Sequence, residues 1–208
     1  MPAEIYAAIA IIGSYLIGSF PTAYIVARLR RGVDIRQIGT RNMGAMNVFY
    51  KIGIAEGLLV LATDIGKGAA AVFIARQLGT PEAVQLASGV AVVLGHAFPV
   101  FLRFRGGRGG ATCIGALVFL MPWGIPFFLG IFLLLLLITR VPTISYSLAF
   151  FCFPFIAWLI YDSGTLIIFS IMLPLLPLIK YIPRIKEMHT AAGSWRRVFL
   201  RRSVKDRF

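Results

Sequence analysis

The chain has 208 residues, of which 59% are hydrophobic and 14% are charged, whereas soluble domains are about 25% charged. This composition excludes an ordinary soluble domain and predicts an all-α integral membrane protein that forms one compact bundle. The net charge of +13 does not indicate nucleic-acid binding, because the basic residues lie in short loops between apolar segments. In such loops, basic residues set the topology or contact anionic headgroups and phosphates.

Seven apolar segments are long enough to cross a bilayer, either fully or where the bilayer thins locally. They lie near residues 4–27, 54–76, 84–102, 110–121, 124–139, 143–160 and 164–180. Between the fourth and fifth segments, Met121–Gly124 is either a tight turn joining two short helices or a kink in one long helix. The sequence therefore predicts a bundle of about seven transmembrane helices.

The distribution of basic residues predicts the orientation of this bundle, because cytoplasmic loops carry an excess of lysine and arginine. Seven spans with an outer N-terminus place all the major basic segments on the cytoplasmic side. These segments are Arg28, Arg30, Arg31, Arg36, Arg41 and Lys51 of the first loop, Arg103, Arg105 and Arg108 of the second, Arg140, and the nine basic residues from Lys180 onward. We therefore expect the C-terminus to be cytoplasmic.

The chain is predicted to comprise a transmembrane domain, residues 1–182, and a basic cytoplasmic tail, residues 183–208. Apolar residues are interspersed among the basic residues of the tail, namely Trp195, Val198, Phe199 and Leu200. This pattern predicts either a short helix that lies on the inner leaflet and binds anionic lipid, or a disordered segment that fixes the topology.

The stretch Gly95–Thr112 contains three arginines and a cluster of glycines between two apolar segments. Glycine lets backbone N–H groups converge on an anion, and arginine binds phosphate through a fixed fork of donors. The predicted phosphate-binding residues are Gly106, Gly107, Arg108 and Gly109, with Arg108 also a candidate catalytic residue. His96 precedes this loop and is either a hydrogen-bonded core residue or a catalytic group that accepts a proton or donates to phosphate.

The first loop, residues 34–53, is dense in polar, non-acidic residues beside the membrane. The side chains of Asn42 and Asn47 both donate and accept hydrogen bonds. A solvated loop is the alternative, but this density favours a substrate site. The candidate substrate-binding residues here are Thr40, Arg41, Asn47 and Lys51, and Asn42 is a candidate catalytic residue.

Two ionisable residues, Asp64 and Lys67, lie inside the second span, three residues apart and therefore on one helix face. Ionised groups within a span are costly and usually face a polar cavity or each other. The pair therefore either lines a substrate site or only holds the helix in place. In the first span, Ser19 is close to Pro21 and is either part of a packing kink or a substrate contact.

Motifs of several other enzyme classes are absent from the sequence. Cys113 and Cys152 lack metal-ligand spacing, and there is no HExxH, CxxC, GxSxG or Walker A motif. We therefore expect neither a metal nor a cofactor. The chemistry is expected to rely on positioning phosphates with amide and cationic groups.

Taken together, these stretches resemble the bacterial acyl-phosphate:glycerol-3-phosphate acyltransferases, small membrane enzymes that begin phospholipid synthesis. The similar stretches occur in order and at family-like spacing: Gly18-Ser19-Phe20-Pro21, Asn42-x-Gly44-Ala45-x-Asn47, Asp64-Ile-Gly-Lys67-Gly68, Gly95-His96-x-Phe98-Pro99, Gly106-Gly107-x-Gly109, Ala111-Thr112 and Thr139-Arg140. The resemblance implies transfer of a fatty acyl group from acyl phosphate to the 1-hydroxyl of glycerol 3-phosphate. It also implies a bacterial inner-membrane location, an active site facing the cytoplasm, and Arg140 and Thr143 as substrate-binding residues.

The chain departs from the family at several positions. Thr40-Arg41-Asn42 stands where the family usually has Ser-Gly-Asn, Arg108 replaces a lysine, and Thr143 replaces a serine. The tail motif of the family, His-Arg-x-Asn, has no counterpart. One alternative is therefore a catalytically silent or altered-substrate member that acts as a membrane scaffold. A transporter of lipids or phosphate compounds is the alternative from another class.

Overall fold

Residues 2–200 are described by a computed structural model, and all regular elements in this part of the chain are helices. They belong to two compact units, of which the first ends at Leu120 and the second begins at Met121. The all-helical architecture predicted from the composition is confirmed.

The first unit is organised around one long helix, α4. Its helices are α1 (Ala3–Ser19), α2 (Thr22–Arg31), α3 (Ala45–Lys51), α4 (Ile54–Gln77), α5 (Glu82–Ala97) and α6 (Gly110–Leu120). Helix α4 packs against the other five, and α1 also packs along α5. Polar residues in the middle of α4 are therefore placed where several segments of the unit meet.

A proline separates α1 from α2 inside the predicted first span. Pro21 has no backbone N–H, so it cannot continue the hydrogen-bond ladder of α1. Phe20 accordingly leaves the helix with extended backbone angles (φ −60°, ψ 118°). The carbonyl oxygen of Phe20 accepts a hydrogen bond from the N–H of Thr22, at 3.1 Å, and is available to further donors.

Two loops of the first unit carry most of the predicted site residues. Residues 32–44 join α2 to α3 through a short 3₁₀ turn at Ile35–Gln37, and residues 98–109 join α5 to α6 through a second one at Val100–Leu102. The first of these loops is held by a buried apolar cluster that comprises Ala23, Ala27, Ile35, Met43, Val48, Ile52 and Val60. Burial of these side chains fixes the course of the loop against the helices.

The second unit contains α7 (Gly124–Thr139), α8 (Pro142–Ala149), α9 (Cys152–Leu159), α10 (Gly164–Met172), α11 (Leu175–Ala192) and α12 (Trp195–Phe199). Helix α7 packs against α8 and α9, α9 packs against α10, and α11 packs against α12. An aromatic cluster joins the first three of these helices, with ring centroids between 5.6 and 6.4 Å apart for Phe128, Phe150 and Phe153.

The predicted spans coincide with helical segments of the structure. Five segments of the described chain are long and apolar enough to cross a membrane, namely Ala3–Arg31, Ile54–Gln77, Glu82–Leu102, Pro142–Leu159 and Gly164–Ala192. Gly110–Leu120 and Gly124–Thr139 are shorter apolar helices. The N–H of Gly124 donates to the carbonyl of Met121, at 2.9 Å, so a turn separates these two helices and one kinked helix is ruled out. The number of crossings and their orientation stay predictions.

The predicted boundary between membrane domain and tail, at 182/183, lies inside α11. Helices α11 and α12 share a small apolar core made by Tyr181, Met188, Ala192 and Val198. The described part of the predicted tail is therefore mostly helical. Residues 201–208 of the predicted tail lie outside the described residues.

Candidate active site

The glycine loop, residues 103–110, folds back onto the C-terminal end of α5. The N–H of Gly107 donates to the carbonyl of His96, at 3.0 Å, and the N–H of Phe104 donates to the carbonyl of Pro99, at 2.9 Å. Because both acceptors lie at or just beyond the last turn of α5, that helix end determines the position of the loop.

The backbone of this loop is held in unusual conformations. Arg103 and Phe104 are left-handed, with φ of 52° and 61°, a conformation that costs energy for residues other than glycine. Gly109 has a φ of 93°, which glycine adopts without a steric penalty. Gly106 and Arg108 are half-buried between these positions. The four predicted phosphate-binding residues therefore lie in one short, strained segment.

Gly107 lies directly against the ring of His96. A Cβ atom at this position would overlap Nε2 of His96 and lie 2.5 Å from the carbonyl oxygen of Met43. Only glycine permits so close an approach. His96 is buried, with 4% of its surface exposed, and therefore contacts the predicted phosphate loop through both its backbone and its imidazole.

The predicted pair Asp64 and Lys67 forms a buried ion pair. Nζ of Lys67 lies 2.9 Å from Oδ1 of Asp64, and the two residues are 7% and 2% exposed. The same Oδ1 lies 3.5 Å from Nδ1 of His96, which belongs to α5. The spacing of the pair on one helix face is confirmed, while the contact with His96 joins α4 to the glycine loop.

The break between α1 and α2 meets the same cluster. Nζ of Lys67 donates to the carbonyl oxygen of Phe20, at 3.4 Å. The hydroxyl oxygens of Ser19, Thr22 and Thr112 are buried and have no hydrogen-bond partner among the described residues. Because a buried hydroxyl without a partner is costly, these groups are candidates to contact a ligand or water. Neither Thr22 nor the Phe20 carbonyl is among the predicted site residues, although Pro21 marked the break.

The side chain of Asn47 binds the first loop together. Its Nδ2 donates to the carbonyls of Ile35 (3.0 Å), Ile38 (3.1 Å) and Asn42 (3.1 Å). Its Oδ1 accepts from the N–H of Thr40, at 3.1 Å. Asn47 is 2% exposed, so its amide is committed to holding the loop backbone.

The remaining candidates of the first loop lie around this amide. Arg41 is exposed and left-handed, with φ 56°, and its N–H donates to the carbonyl of Ile38. Lys51 is exposed, and its methylene chain lies beside Gly39. Asn42 is half-buried, and its amide nitrogen lies beside Gly44. Asn47 thus brings Thr40 and Asn42 into contact with one side chain.

Asp34 and Arg36 fix the beginning of this loop. Oδ1 of Asp34 accepts from the backbone N–H of Arg36 at 2.9 Å, and its carboxylate also binds the Arg36 guanidinium, at 2.7 Å. The side-chain hydrogen bonds from Arg36 hold the pKa of Asp34 below its ordinary value. The guanidinium also lies 5.2 Å from the ring centroid of Tyr24. The negative charge of Asp34 is therefore paired with the guanidinium of Arg36.

Two predicted residues, Arg140 and Thr143, belong to the second unit. Arg140 follows α7 in a left-handed conformation, φ 56°, and is exposed. Thr143 is half-buried in the first turn of α8, and its carbonyl accepts from the hydroxyl of Ser147, at 2.8 Å.

Within residues 2–200 there is no group of three His, Cys, Asp or Glu side chains that could hold a metal ion.

Comparison with known proteins connects these residues to one family. The profile described as glycerol-3-phosphate acyltransferase matches residues 8–191. "Glycerol-3-phosphate acyltransferase 2" of Dehalococcoides mccartyi is 46% identical over 96% of both chains. "Glycerol-3-phosphate acyltransferase" of Geotalea daltonii is 38% identical over 86% of this chain and 92% of the relative.

The fold resembles a solved membrane protein of the same name. The crystal structure of PlsY (YgiH), an integral membrane glycerol 3-phosphate acyltransferase, in its glycerol 3-phosphate form has a TM-score of 0.81 and 29% identity. The match covers 90% of this chain and 92% of that structure. The lysophosphatidic acid form gives a TM-score of 0.79. With its apolar helices, the chain is a multi-pass membrane protein, and it belongs to the glycerol-3-phosphate acyltransferase family.

Proposed function

We propose that this protein transfers a fatty acyl group from acyl phosphate to the 1-hydroxyl of glycerol 3-phosphate, giving lysophosphatidic acid and phosphate. The observation that carries the proposal is the family match over residues 8–191, which includes every predicted site residue. The related PlsY structures, in glycerol 3-phosphate and lysophosphatidic acid forms, support both the acceptor and the product.

The chemistry of the reaction fits a site without a protein nucleophile. The C1 hydroxyl oxygen attacks the acyl carbon, the bond between that carbon and the phosphate oxygen breaks, and the hydroxyl proton leaves with the released phosphate. Acyl phosphate is already activated, so what the protein must supply is orientation and charge stabilisation. A glycine-rich loop with an arginine and few free carboxylates suits two phosphorylated substrates.

We assign the glycine loop to a substrate phosphate. Gly106, Gly107, Arg108 and Gly109 would form the loop that binds it, with the Arg108 guanidinium as its cationic donor. The N–H of Gly107 itself donates to the carbonyl of His96, so Gly107 would contribute by holding the loop against the ring. Asn42, with the first-loop residues Thr40, Arg41 and Lys51, would form the acceptor site, with Ser19 from the helix break. Arg140 and Thr143 would supply further substrate contacts, as the family resemblance implies.

We further propose that the chain crosses a bacterial inner membrane seven times, with its N-terminus outside and its active site facing the cytoplasm. The basic loops support this orientation, since lysine and arginine are retained on the cytoplasmic side. The acyl chain of the donor belongs in the bilayer, while glycerol 3-phosphate is water-soluble. Anionic lipid is the proposed membrane partner of the basic tail.

The direct test is acyl transfer by the purified protein with acyl phosphate and labelled glycerol 3-phosphate, without added metal. The wild type should form lysophosphatidic acid. Arg108→Ala should lower turnover by about tenfold or more, because it removes a charge from the phosphate site. Arg108→Lys restores the charge of the usual family residue and should retain most of the turnover. Near-normal turnover of the alanine variant would show that Arg108 does not bind the substrate phosphate.

The absent tail motif favours one alternative, a catalytically silent family member that acts as a membrane scaffold. This alternative predicts weak or no binding of glycerol 3-phosphate by the folded protein. If acyl phosphate and acyl-CoA both fail as donors, a counterflow assay in vesicles would separate the scaffold from a transporter, since only a transporter exchanges substrate without acyl transfer.

A further inference from the structure

The carboxylate of Asp64 is shared by side chains from two helices. Its Oδ1 is 2.9 Å from Nζ of Lys67, one turn along α4, and 3.5 Å from Nδ1 of His96 on α5. All three residues are less than a tenth exposed. The cluster is therefore a buried network in which one oxygen fixes the positions of two nitrogen groups.

On the His96 side, this network contacts the glycine loop. His96 accepts the N–H of Gly107 through its backbone carbonyl, at 3.0 Å, and Gly107 has no space for a Cβ beside Nε2 of the ring. A rotation of the imidazole would therefore displace the loop. Oδ1 of Asp64 lies 3.5 Å from Nδ1, and this electrostatic contact opposes such a rotation when Nδ1 carries a proton.

On the Lys67 side, the network contacts the break between α1 and α2. Nζ of Lys67 lies 3.4 Å from the carbonyl oxygen of Phe20 as well as 2.9 Å from Asp64. Its charge is thus balanced by one carboxylate and one carbonyl. An anionic substrate would find neither a free cation at Lys67 nor a favourable neighbour in Asp64, because the carboxylate repels phosphate.

We propose that Asp64 and Lys67 are positioning residues, which hold His96 and the Phe20 carbonyl so that the glycine loop keeps one geometry. This inference rests on the proposed function, because the loop is taken to bind a substrate phosphate. In this role, Asp64 and Lys67 do not contact substrate directly, and they do more than hold α4 in place. Asp64 acts on the loop through His96, while Lys67 joins Asp64 to the helix break.

The first test separates positioning from stability. Removing one member of a buried ion pair leaves an uncompensated charge and is strongly destabilising, whereas removing both charges is tolerated far better. The double variant Asp64→Asn/Lys67→Met should therefore unfold closer to the wild-type temperature than either single variant. Its kcat should still fall by about tenfold or more, with the KM for glycerol 3-phosphate changed by less than about threefold. Ser88→Ala, a buried hydroxyl on α5, is the control and should leave both constants near wild type.

Two outcomes would overturn the inference. A folded double variant with wild-type kcat would show that the pair does not position the loop. A variant with a large rise in KM and unchanged kcat would show that the pair binds substrate directly.

The second test measures by NMR which ring nitrogen of His96 carries the proton, so it does not depend on an activity assay. The chain has only two histidines, so His189→Gln leaves His96 as the single histidine for nitrogen-labelled NMR. In that background the Nδ1 atom should carry a proton, because it faces a carboxylate. In an Asp64→Leu/Lys67→Met variant, which has no acceptor at position 64, the proton should move to Nε2. An unchanged Nδ1 signal would overturn the role of Asp64.

The two tests distinguish failure of this inference from failure of the proposed function. An Nδ1 proton that depends on Asp64, in a protein without acyl transfer, would reject the function and retain the network. Acyl transfer that proceeds normally in the double variant would reject the positioning role and retain the function.

Discussion

At the residue level, the contact of Gly107 with His96 leaves no space for a side chain at position 107 of the glycine loop. A Cβ atom there would overlap Nε2 of the ring, and the ring cannot move away freely because Asp64 faces its other nitrogen. The smallest possible addition, one methyl group, must therefore displace the loop backbone or the histidine.

Gly107→Ala should accordingly lower kcat by about tenfold or more, because a displacement of about 1 Å at a reacting group costs that much or more. The matched control is Gly66→Ala on α4, which lies between Asp64 and Lys67 but is exposed and has no atom within 4 Å of its added Cβ. This control should keep wild-type turnover and gain slightly in stability, since alanine favours helix. Equal turnover of the two variants would contradict the close contact.

A contact in the site could be predicted from the sequence when its two residues are close together along the chain. The pair of Asp64 and Lys67 was predictable, because residues three apart on a helix are neighbours whatever surrounds them. The contact of His96 with Asp64 was not, since it requires the packing of α5 on α4. The contact of Asn47 with substrate stays a prediction, and the sequence did not show that its amide also binds three carbonyls of its own loop. A single sequence shows the polar side chain and not the acceptors around it.

At the level of elements, the first loop depends on one side chain for its course. The Nδ2 group of Asn47 serves three carbonyls, and its Oδ1 holds the N–H of Thr40. No regular helix longer than one turn stabilises residues 32–44. The loop is therefore ordered chiefly by this amide and by the apolar cluster beneath it.

Replacing Asn47 should release the loop. Asn47→Ala removes the donors, and Asn47→Asp also places a carboxylate among three carbonyl oxygens, so the aspartate variant should be at least as damaging. Hydrogen exchange of the peptide that covers residues 35–42 should increase by about tenfold, as expected for the loss of a buried hydrogen bond. The exposed Gln37→Ala is the control in the same loop. Unchanged exchange with a raised KM for glycerol 3-phosphate would instead make Asn47 a substrate contact.

The helices themselves were more predictable than their interruptions. Every predicted span coincides with a helical segment, including the two shorter ones, because an apolar segment in a bilayer has few alternatives to a helix. The break at Pro21 was readable from the missing N–H. The break between α8 and α9 at Phe150–Phe151 was not predicted from the apolar run around it.

At the level of the whole molecule, the proposed contact with anionic lipid depends on the charge and the exposed aromatic residues of the C-terminal segment. His189 stacks on Trp195 with ring centroids 4.0 Å apart, and Trp195 and Phe199 remain 52% and 40% exposed. Arg196 and Arg197 are exposed beside them. A basic segment with exposed aromatic rings is typical of helices at the surface of an anionic leaflet.

Reversing one of these charges should weaken that contact. In a Trp123→Phe/Trp158→Phe background, the emission of Trp195 should shift to shorter wavelength in vesicles that contain phosphatidylglycerol relative to neutral vesicles. Arg196→Glu should reduce this shift, because each basic residue near an anionic surface contributes about 1 kcal/mol. Arg76→Glu, at the end of α4, changes the net charge equally and should not reduce it. The same emission in both vesicles would contradict binding of anionic lipid by the tail.

The contact between Lys67 and the carbonyl of Phe20 has an evolutionary consequence. The acceptor belongs to the main chain, so it imposes no requirement on the identity of side chain 20, which is half exposed. The constraint falls instead on residue 21, which must stop the helix although it does not supply the acceptor. Among relatives, position 20 should accept other apolar side chains, as suits an exposed position in a span, while the proline is retained. Selection that preserves this contact therefore acts on the proline at position 21, although residue 20 supplies the acceptor atom.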